Sequence, residues 1–145
     1  MNIKIAAAGK IKDKFLLEKI RDYGERISHD CRIEIVEIKD CGVESEGAKF
    51  LDLAARNGGT LVTLTEEGTQ YSSKDFSTLL ENLGARILFV IGGPDGVSPS
   101  VKSQSRVLLS LSKMTFTHEM ARMFLLEQIY RAISIKHNRK YHRGN

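Results

Sequence analysis

Residues Ile87–Ser98, Ile-Leu-Phe-Val-Ile-Gly-Gly-Pro-Asp-Gly-Val-Ser, constrain what this chain can fold into more than any other stretch. The apolar run Ile87–Ile91 passes directly into a Gly-Gly-Pro-Asp-Gly turn. An unbroken β-branched and aromatic run bounded by turn residues predicts a strand buried on both faces, as in a parallel sheet. Gly92 and Gly93 lack a Cβ where that strand ends, so backbone can approach a ligand closely there. Pro94 presets one turn position, Asp95-Gly96 is turn chemistry, and Ser98-Pro99 reads as an N-cap followed by proline at the first helical position. A glycine loop between a strand's carboxyl end and a new helix is where open α/β sheets bind ligands. The bland alternative is a tight connection that touches nothing, since the loop is neither a P-loop nor a GxGxxG fingerprint.

The same punctuation recurs along the chain. Met1–Ala8 predicts a first strand, Lys14–Ser28 a surface helix, and the alternating Arg32–Ile38 a second strand. Lys39–Gly47 mixes charge and glycine and is expected to be a mobile loop before a short helix over Ala48–Asn57. Thr60–Leu64 forms a third strand, followed by Thr65-Glu66-Glu67-Gly68. A helix capped at Ser72-Ser73 turns Phe76, Leu79, Leu80 and Leu83 inward and is closed by Gly84. After the Ile87–Ile91 strand come a helix at Pro99–Ser105, a strand at Val107–Leu111, the polar Ser112–Thr117, and a long helix over His118–Lys136. Strand and helix alternate throughout, which predicts a single α/β domain over residues 1–145 with a mainly parallel sheet.

That last helix is apolar nearly all round, from Met120 and Met123 through Phe124, Leu125, Leu126, Ile129, Tyr130 and Ile133. Such a helix lies at the centre of a larger protein or against a partner, and in a chain of 145 residues a homodimer is the expectation. Glu127 and Arg131, four apart, are expected to pair as a structural salt bridge.

Composition narrows the function classes. No stretch approaches a membrane span, and Met1-Asn2-Ile3-Lys4 has no signal-peptide layout. Cys31 and Cys41, the only cysteines, have no metal-ligand spacing, which predicts a reduced cytoplasmic protein. The formal net charge of +4 points weakly to a polyanionic partner; Lys136, Arg139, Lys140 and Arg143 crowd the terminus, where a basic tail hints at nucleic acid. No histidine set suggests a metal, and no serine sits in a nucleophile elbow. What remains are three segments following strand ends, Leu64–Gly68, Gly92–Gly96 and Ser112–Thr117. In a parallel sheet they emerge on one side and can line one pocket. Being largely uncharged, they suit a purine and apolar walls rather than a triphosphate.

These residues also carry a resemblance. The run Leu109-Ser-Leu-Ser-Lys-Met-Thr-Phe-Thr-His118, then Arg122, Glu127-Gln-Ile-Tyr-Arg131 and the terminal Tyr141-His-Arg143, with Ile91-Gly-Gly-Pro-Asp-Gly96 ahead of them, resembles the RlmH family. The resemblance implies a SPOUT-superfamily methyltransferase, homodimeric, with a deep carboxyl-terminal trefoil knot, a fold that ordinary topology rules would not suggest. It implies S-adenosylmethionine as cofactor and methylation at N3 of a pseudouridine in large-subunit (23S) ribosomal RNA. With no separate RNA-binding domain in the sequence and only +4 spread over 145 residues, the assembled ribosome is expected to supply most of the docking surface. Cofactor contacts carry over to Leu64, to Gly93 with Gly92 beside it, and to Ser112, Lys113, Met114, Thr115, Phe116 and Thr117. Tyr141, His142 and Arg143 match the terminal motif that reaches across the dimer to the target. Expected roles are base stacking or hydrogen bonding for Tyr141, proton acceptance for His142 and a phosphate or base-anion contact for Arg143.

The sequence departs from the family pattern twice. His137-Asn-Arg-Lys140 replaces a segment that commonly has Gly and Pro, which implies a more flexible, more basic approach to the site. Thr65 stands where an aspartate is usual, so any polar contact by that carboxylate is lost. Two further readings stand beside the first: a SPOUT enzyme with another RNA target, and a ribosome-binding factor without methyl transfer.

Overall fold

The computed structural model describes residues 1–144; Asn145, the last residue of the domain expected over 1–145, lies outside them. Five strands alternate with five helices: β1 Asn2–Ala8, α1 Lys14–Ser28, β2 Arg32–Ile38, α2 Val43–Asn57, β3 Thr60–Gln70, α3 Ser73–Asn82, β4 Arg86–Ile91, α4 Pro99–Gln104, β5 Val107–Ser110 and α5 His118–Lys136. All the strand pairings are parallel, in the order β2-β1-β4-β3-β5. The expected α/β class with a parallel sheet therefore holds, and the glycine-loop strand β4 lies in the centre of that sheet.

Its unbroken apolar sequence follows from that position. Ile87, Phe89 and Ile91 face one layer with Ile3, Ile5 and Ala7 of β1, against Ile20 and Ile27 of α1, Phe76 and Leu80 of α3, and Leu125, Leu126 and Ile129 of α5. Leu88 and Val90 face the other layer with Ala6 and Ala8, against Phe50 of α2 and Val97 and Val101 beside α4. A strand covered on both faces needs apolar residues at every position, whereas a half-exposed one alternates. Edge strand β2 does alternate, with Glu34 exposed and Ile33 half-buried.

Three boundaries differ from the sequence reading. The expected loop Lys39–Gly47 is helical from Val43, because the buried Glu46 carboxylate accepts from the backbone N–H groups of Cys41 and Gly42, both at 3.0 Å, and closes the helix start itself. Strand β3 does not end at Leu64. Leu64 and Thr69 both align with Leu109, so residues 65–68 are extruded as a bulge and the strand resumes to Gln70. Nor is His137–Lys140 loose. Asn138 takes φ 55°, the left-handed conformation in which Asn stands in for glycine after a helix, and Arg139 grips Asp30 beyond α1 through two bonds of 2.9 and 2.5 Å.

Helix α5 is the centre of the molecule. It lies between α1 and α3 on the sheet, and none of residues 118–135 is exposed. Its apolar circumference is thus covered largely within the chain, so it does not by itself require a partner. Ser77 Oγ donates to the Ala132 carbonyl at 2.7 Å inside the α3–α5 contact. At the amino end, the buried Arg122 guanidinium donates to Glu37 Oε2 at 2.6 Å and to the Gly9 carbonyl at 2.9 Å, and Glu119 accepts from the backbone N–H groups of Lys12 and Asp13 at 2.7 and 3.1 Å. Those two backbone bonds hold the Glu119 carboxyl below its ordinary pKa.

Breaking a buried pair from one side leaves the remaining partner uncompensated, and Glu37, 38% exposed, sets the cost at the lower end. Arg122→Ala is expected to lower the free energy of unfolding by about 3 kcal/mol. Urea denaturation followed by circular dichroism measures it; a loss below roughly 1 kcal/mol would show that water replaces the guanidinium at little cost.

Candidate functional site

At the bulge of β3 and the carboxyl ends of β4 and β5 the three segments meet around a pocket of about 720 Å³. Leu64, Gly92, Gly93, Ser112, Met114, Thr115, Phe116 and Thr117 all line it. Lys113 is exposed and does not. The volume lies within the usual range for small-molecule sites.

Local chemistry shapes each wall. Gly96 N–H bonds back to the Gly93 carbonyl at 3.0 Å, so Pro94 and Asp95 hold the two central positions of a turn. Ser98 caps α4 by accepting from Val101 N–H. In the third segment Ser110 Oγ donates to the Ser112 carbonyl at 2.9 Å, Ser112 Oγ accepts from Met114 N–H at 3.0 Å, and Thr117 caps α5 through Met120 N–H at 3.2 Å. Phe116 is braced by Phe124, ring centroids 5.0 Å apart, while Met114 is 78% exposed beside the pocket. This segment carries the chain from edge strand β5 past the end of β3 to the start of α5, which rests on β1 and β4.

The lip is more charged than the sequence suggests. The bulge after Leu64 brings Glu66 and Glu67 to the pocket with Asp95 and Lys102. Lys102 Nζ meets Glu67 Oε1 at 3.1 Å, and Thr115 Oγ1 reaches Glu66 Oε1 at 3.5 Å across the opening. His118 also lines the wall, with a buried Nδ1 that has no partner among the described residues. An excess of carboxylates argues further against a phosphate-rich ligand. Glu66, Glu67 and Asp95 lie within the strand-end segments expected to line the pocket, so the expectation of a largely uncharged lining is what fails, and Lys102 alone of the four lay outside those segments because it sits on a separate helix.

Tyr141 and His142 lie elsewhere. They dock on the Glu127–Arg131 pair of their own α5, whose Arg131 Nη2 meets Glu127 Oε1 at 2.5 Å. Tyr141 Oη donates to the same Glu127 oxygen at 3.0 Å and shares a hydrogen bond of 3.1 Å with Tyr23 Oη. The Tyr141 ring meets Tyr130 edge-on at 4.7 Å, and the Arg131 guanidinium lies 4.8 Å from its centroid. Arg131 Nη1 approaches His142 Nδ1 at 3.3 Å. Arg143 is exposed. The expected ion pair exists, and it is also the seat of the tail, a role that i,i+4 spacing alone does not reveal. Nine residues of helix separate His118 from Glu127, about 14 Å at the helical rise, so one chain does not bring tail and pocket together.

A family model described as "Predicted SPOUT methyltransferase" matches residues 1–142. The chain belongs to the SPOUT methyltransferase family. It is 42% identical over 151 residues to the "Ribosomal RNA large subunit methyltransferase H" of Acholeplasma laidlawii, covering 99% of this chain and 100% of that one. The protein of the same name from Kosmotoga olearia is 41% identical over 155 residues, covering 98% and 99%. Among solved structures, a probable methylase family protein from Haemophilus influenzae shares the fold at TM-score 0.60 and 12% identity, covering 99% of this chain and 71% of that one. The SpoU methyltransferase AviRb of Streptomyces viridochromogenes, in complex with AdoMet, does so at TM-score 0.54 and 13% identity, covering 96% and 59%. The SPOUT chain described above thus has its family's fold and is related along its whole length to ribosomal RNA methyltransferases.

Burial, the Tyr23 hydroxyl and the Glu127 carboxylate together push the Tyr141 phenol well above the ordinary value of 10.0. The unfolded chain ionises first, so the stability this phenol supplies is complete below pH 10 and is lost as pH rises beyond it. Wild type is expected to lose stability more steeply than Tyr141→Phe above about pH 10 in urea titrations. Parallel losses in both proteins would remove Tyr141 as the source.

Proposed function

We propose that this SPOUT chain transfers a methyl group from S-adenosylmethionine to N3 of a pseudouridine in large-subunit (23S) ribosomal RNA, acting as a cytoplasmic homodimer on the assembled ribosome. The observation that carries the reading is the convergence of the three strand-end segments on one pocket in a chain related end to end to ribosomal RNA methyltransferases. The pocket's chemistry fits the cofactor. Gly92 and Gly93 bring backbone to the pocket wall, Leu64, Ile91, Leu109 and Leu111 give apolar walls, and Glu66 and Asp95 suit a ligand whose net charge is positive. When bound, S-adenosylmethionine supplies an already activated methyl group. What the chain must add is alignment of nucleophile, methyl and sulfur, together with handling of the N3–H proton.

The wide spacing between pocket and tail on one chain supports assembly of the site from two copies, the tail of one serving the pocket of the other. Tyr141 then stacks on or hydrogen-bonds the target base, Arg143 meets phosphate or the base anion, and His142 contacts the reacting ring. Exposed Met114 and half-exposed Phe116 at the pocket mouth offer apolar surface for that partner. Passage of residues 112–117 from the β5 edge to α5, between α1 and α3, supports a trefoil-knotted path. The described residues are built around one sheet, and a formal net charge of +4 is modest for gripping naked RNA, which supports docking on a preassembled ribosome surface.

The decisive test is mixing two defective proteins. A Cβ on Gly92 would come within 2.5 Å of the Gly96 carbonyl and 2.8 Å of Val97 Cγ2, so Gly92→Ala must shift the loop. It is expected to weaken S-adenosylmethionine binding by at least about tenfold. The Gly92→Ala protein and a His142→Ala/Arg143→Ala protein are each expected to transfer almost no labelled methyl to ribosomes lacking the modification. Coexpressed, they form mixed dimers with one complete site, and roughly a quarter of wild-type activity returns. No recovery would rule out the shared site, and label on another nucleoside would change the target.

A further inference from the structure

We propose that residues 10–15, the connection from β1 into α1, form an RNA-docking surface beside the pocket. The Phe15 ring stacks on an unpaired base, and Lys10, Lys12 and Lys14 hold the phosphates around it. The proposal deepens the methyltransferase reading and rests on it only for which RNA is docked.

Phe15 is 80% exposed, more than any other large apolar side chain among the described residues. Core packing does not account for it. Helix α1 turns Ile20 and Ile27 into the core and half-buries Tyr23, and it leaves the Phe15 ring in water at its first turn. A lone exposed apolar residue is ordinary on a protein surface; the surroundings of this one are not. Lys10, Lys12 and Lys14 are exposed, and none has an ion-pair partner among the described residues. The two carboxylates at this connection bind backbone instead of lysines. Asp13 accepts from Phe15 N–H and Leu16 N–H at 2.9 and 3.1 Å, and Glu119 accepts from Lys12 N–H and Asp13 N–H. Three lysines against one aspartate give residues 10–15 half of the chain's formal net charge of +4.

The same backbone bonds hold the connection still. Gly9 N–H donates to the Ile38 carbonyl at 2.9 Å, and the Gly9 carbonyl accepts from Arg122. Because Asp13 fills the first-turn amides of α1, an anion bound here meets lysine side chains and not the helix end. An aromatic ring on fixed backbone has two torsions to order, so it gives up little entropy on binding. Cations that track a phosphate backbone, with an aromatic face on which a base stacks, are the two parts of a single-strand RNA site. Three like charges around the ring set it against a second copy of the same patch and in favour of a polyanion.

Position gives this surface its use. A Cβ on Gly9 would lie 3.1 Å from His118 Cε1, and His118 lines the pocket. Strand β1 adjoins β4, so the lysines flank the pocket on the β1 side. The lip carboxylates Glu66, Glu67 and Asp95 stand instead on the β3 bulge and the turn after β4. An RNA strand is therefore drawn to the β1 flank and kept off the lip, which leaves the opening to the target base.

Cross-linking and binding test this on the full-length protein. With the photoreactive p-benzoylphenylalanine in place of Phe15, irradiation with unmodified ribosomes is expected to join the chain to ribosomal RNA. An adduct only with a ribosomal protein or a second copy of the chain, or no adduct, overturns the proposal. In direct binding to the same ribosomes, Phe15→Ala is expected to raise Kd about tenfold, while Phe15→Trp stays within about twofold of wild type. Affinity for S-adenosylmethionine and sedimentation of the free protein are expected to be unchanged in both. An unaltered Kd in Phe15→Ala, or an equal loss in Phe15→Trp, removes the stacking role. Altered sedimentation makes the patch a subunit interface and overturns the proposal as well. The triple variant Lys10→Gln/Lys12→Gln/Lys14→Gln is expected to flatten the dependence of log Kd on log salt by about two units of slope. An unchanged slope removes the phosphate contacts. Absence of methyl transfer by wild type counts against the proposed reaction alone, because cross-linking and binding are read without transfer.

Discussion

Arg122 is the largest side chain fully enclosed in the protein, and its guanidinium ties α5 to the ends of two strands. Through Glu37 it reaches the end of β2, and through the Gly9 carbonyl the end of β1. Together with Glu119, which fixes the backbone of Lys12 and Asp13, it leaves the first turns of α5 no freedom to slide. Residues 112–117 lead directly into that turn, and Ser112 and Met114–Thr117 line one wall of the pocket, so the anchored helix start fixes the end of that wall. Thirteen residues from His118, the same helix presents Arg131 to the tail. One buried cation therefore anchors both functional ends, which explains why a charge is retained where an apolar side chain would avoid desolvation.

Much of the architecture was legible because burial on one or both faces leaves different periods in the sequence. The uninterrupted Ile87–Ile91 run marked a strand buried on both faces, the alternating Arg32–Ile38 marked a second strand, and Ser98-Pro99 marked a helix start that the structure places at those residues. The misreadings share one cause, namely local bonds made by side chains that also suit loops. Glu46 closes a helix start within a glycine-containing, charged stretch. Asn138 takes the left-handed position of an expected glycine. The bulge at residues 65–68 is invisible because its register depends on β5, which is some forty positions further along the chain.

The pocket was legible for a topological reason. Loops that follow parallel strands emerge on one side, so naming the strand ends named most of the lining. Lys102 was not, because it arrives from α4, and the charge at the lip was underrated although Glu66, Glu67 and Asp95 lie in the segments that were named. Terminal Tyr141 and His142 could be recognised as a motif but not placed. Their seat is made by Glu127, Arg131, Tyr130 and Tyr23, and Tyr23 comes from a helix more than a hundred positions earlier.

The distribution of charge gives the proposed reaction a direction. Arg139 is neutralised by Asp30, which leaves Lys136, Lys140 and Arg143 as the exposed cations of the tail. At the pocket lip Lys102 is spent on Glu67, and Glu66 and Asp95 remain. On one chain these regions lie about 20 Å apart along α5, beyond the screening length of physiological salt, so neither cancels the other's field. Phosphates are therefore favoured at the tail and repelled at the lip, while a cationic cofactor is favoured at the lip. If a second copy brings its tail to the pocket, the nucleic-acid backbone is held on the tail side and only an uncharged base can approach the opening. A small chain can in this way orient its target by electrostatics alone, leaving the choice of nucleotide to the shape of the particle on which it docks.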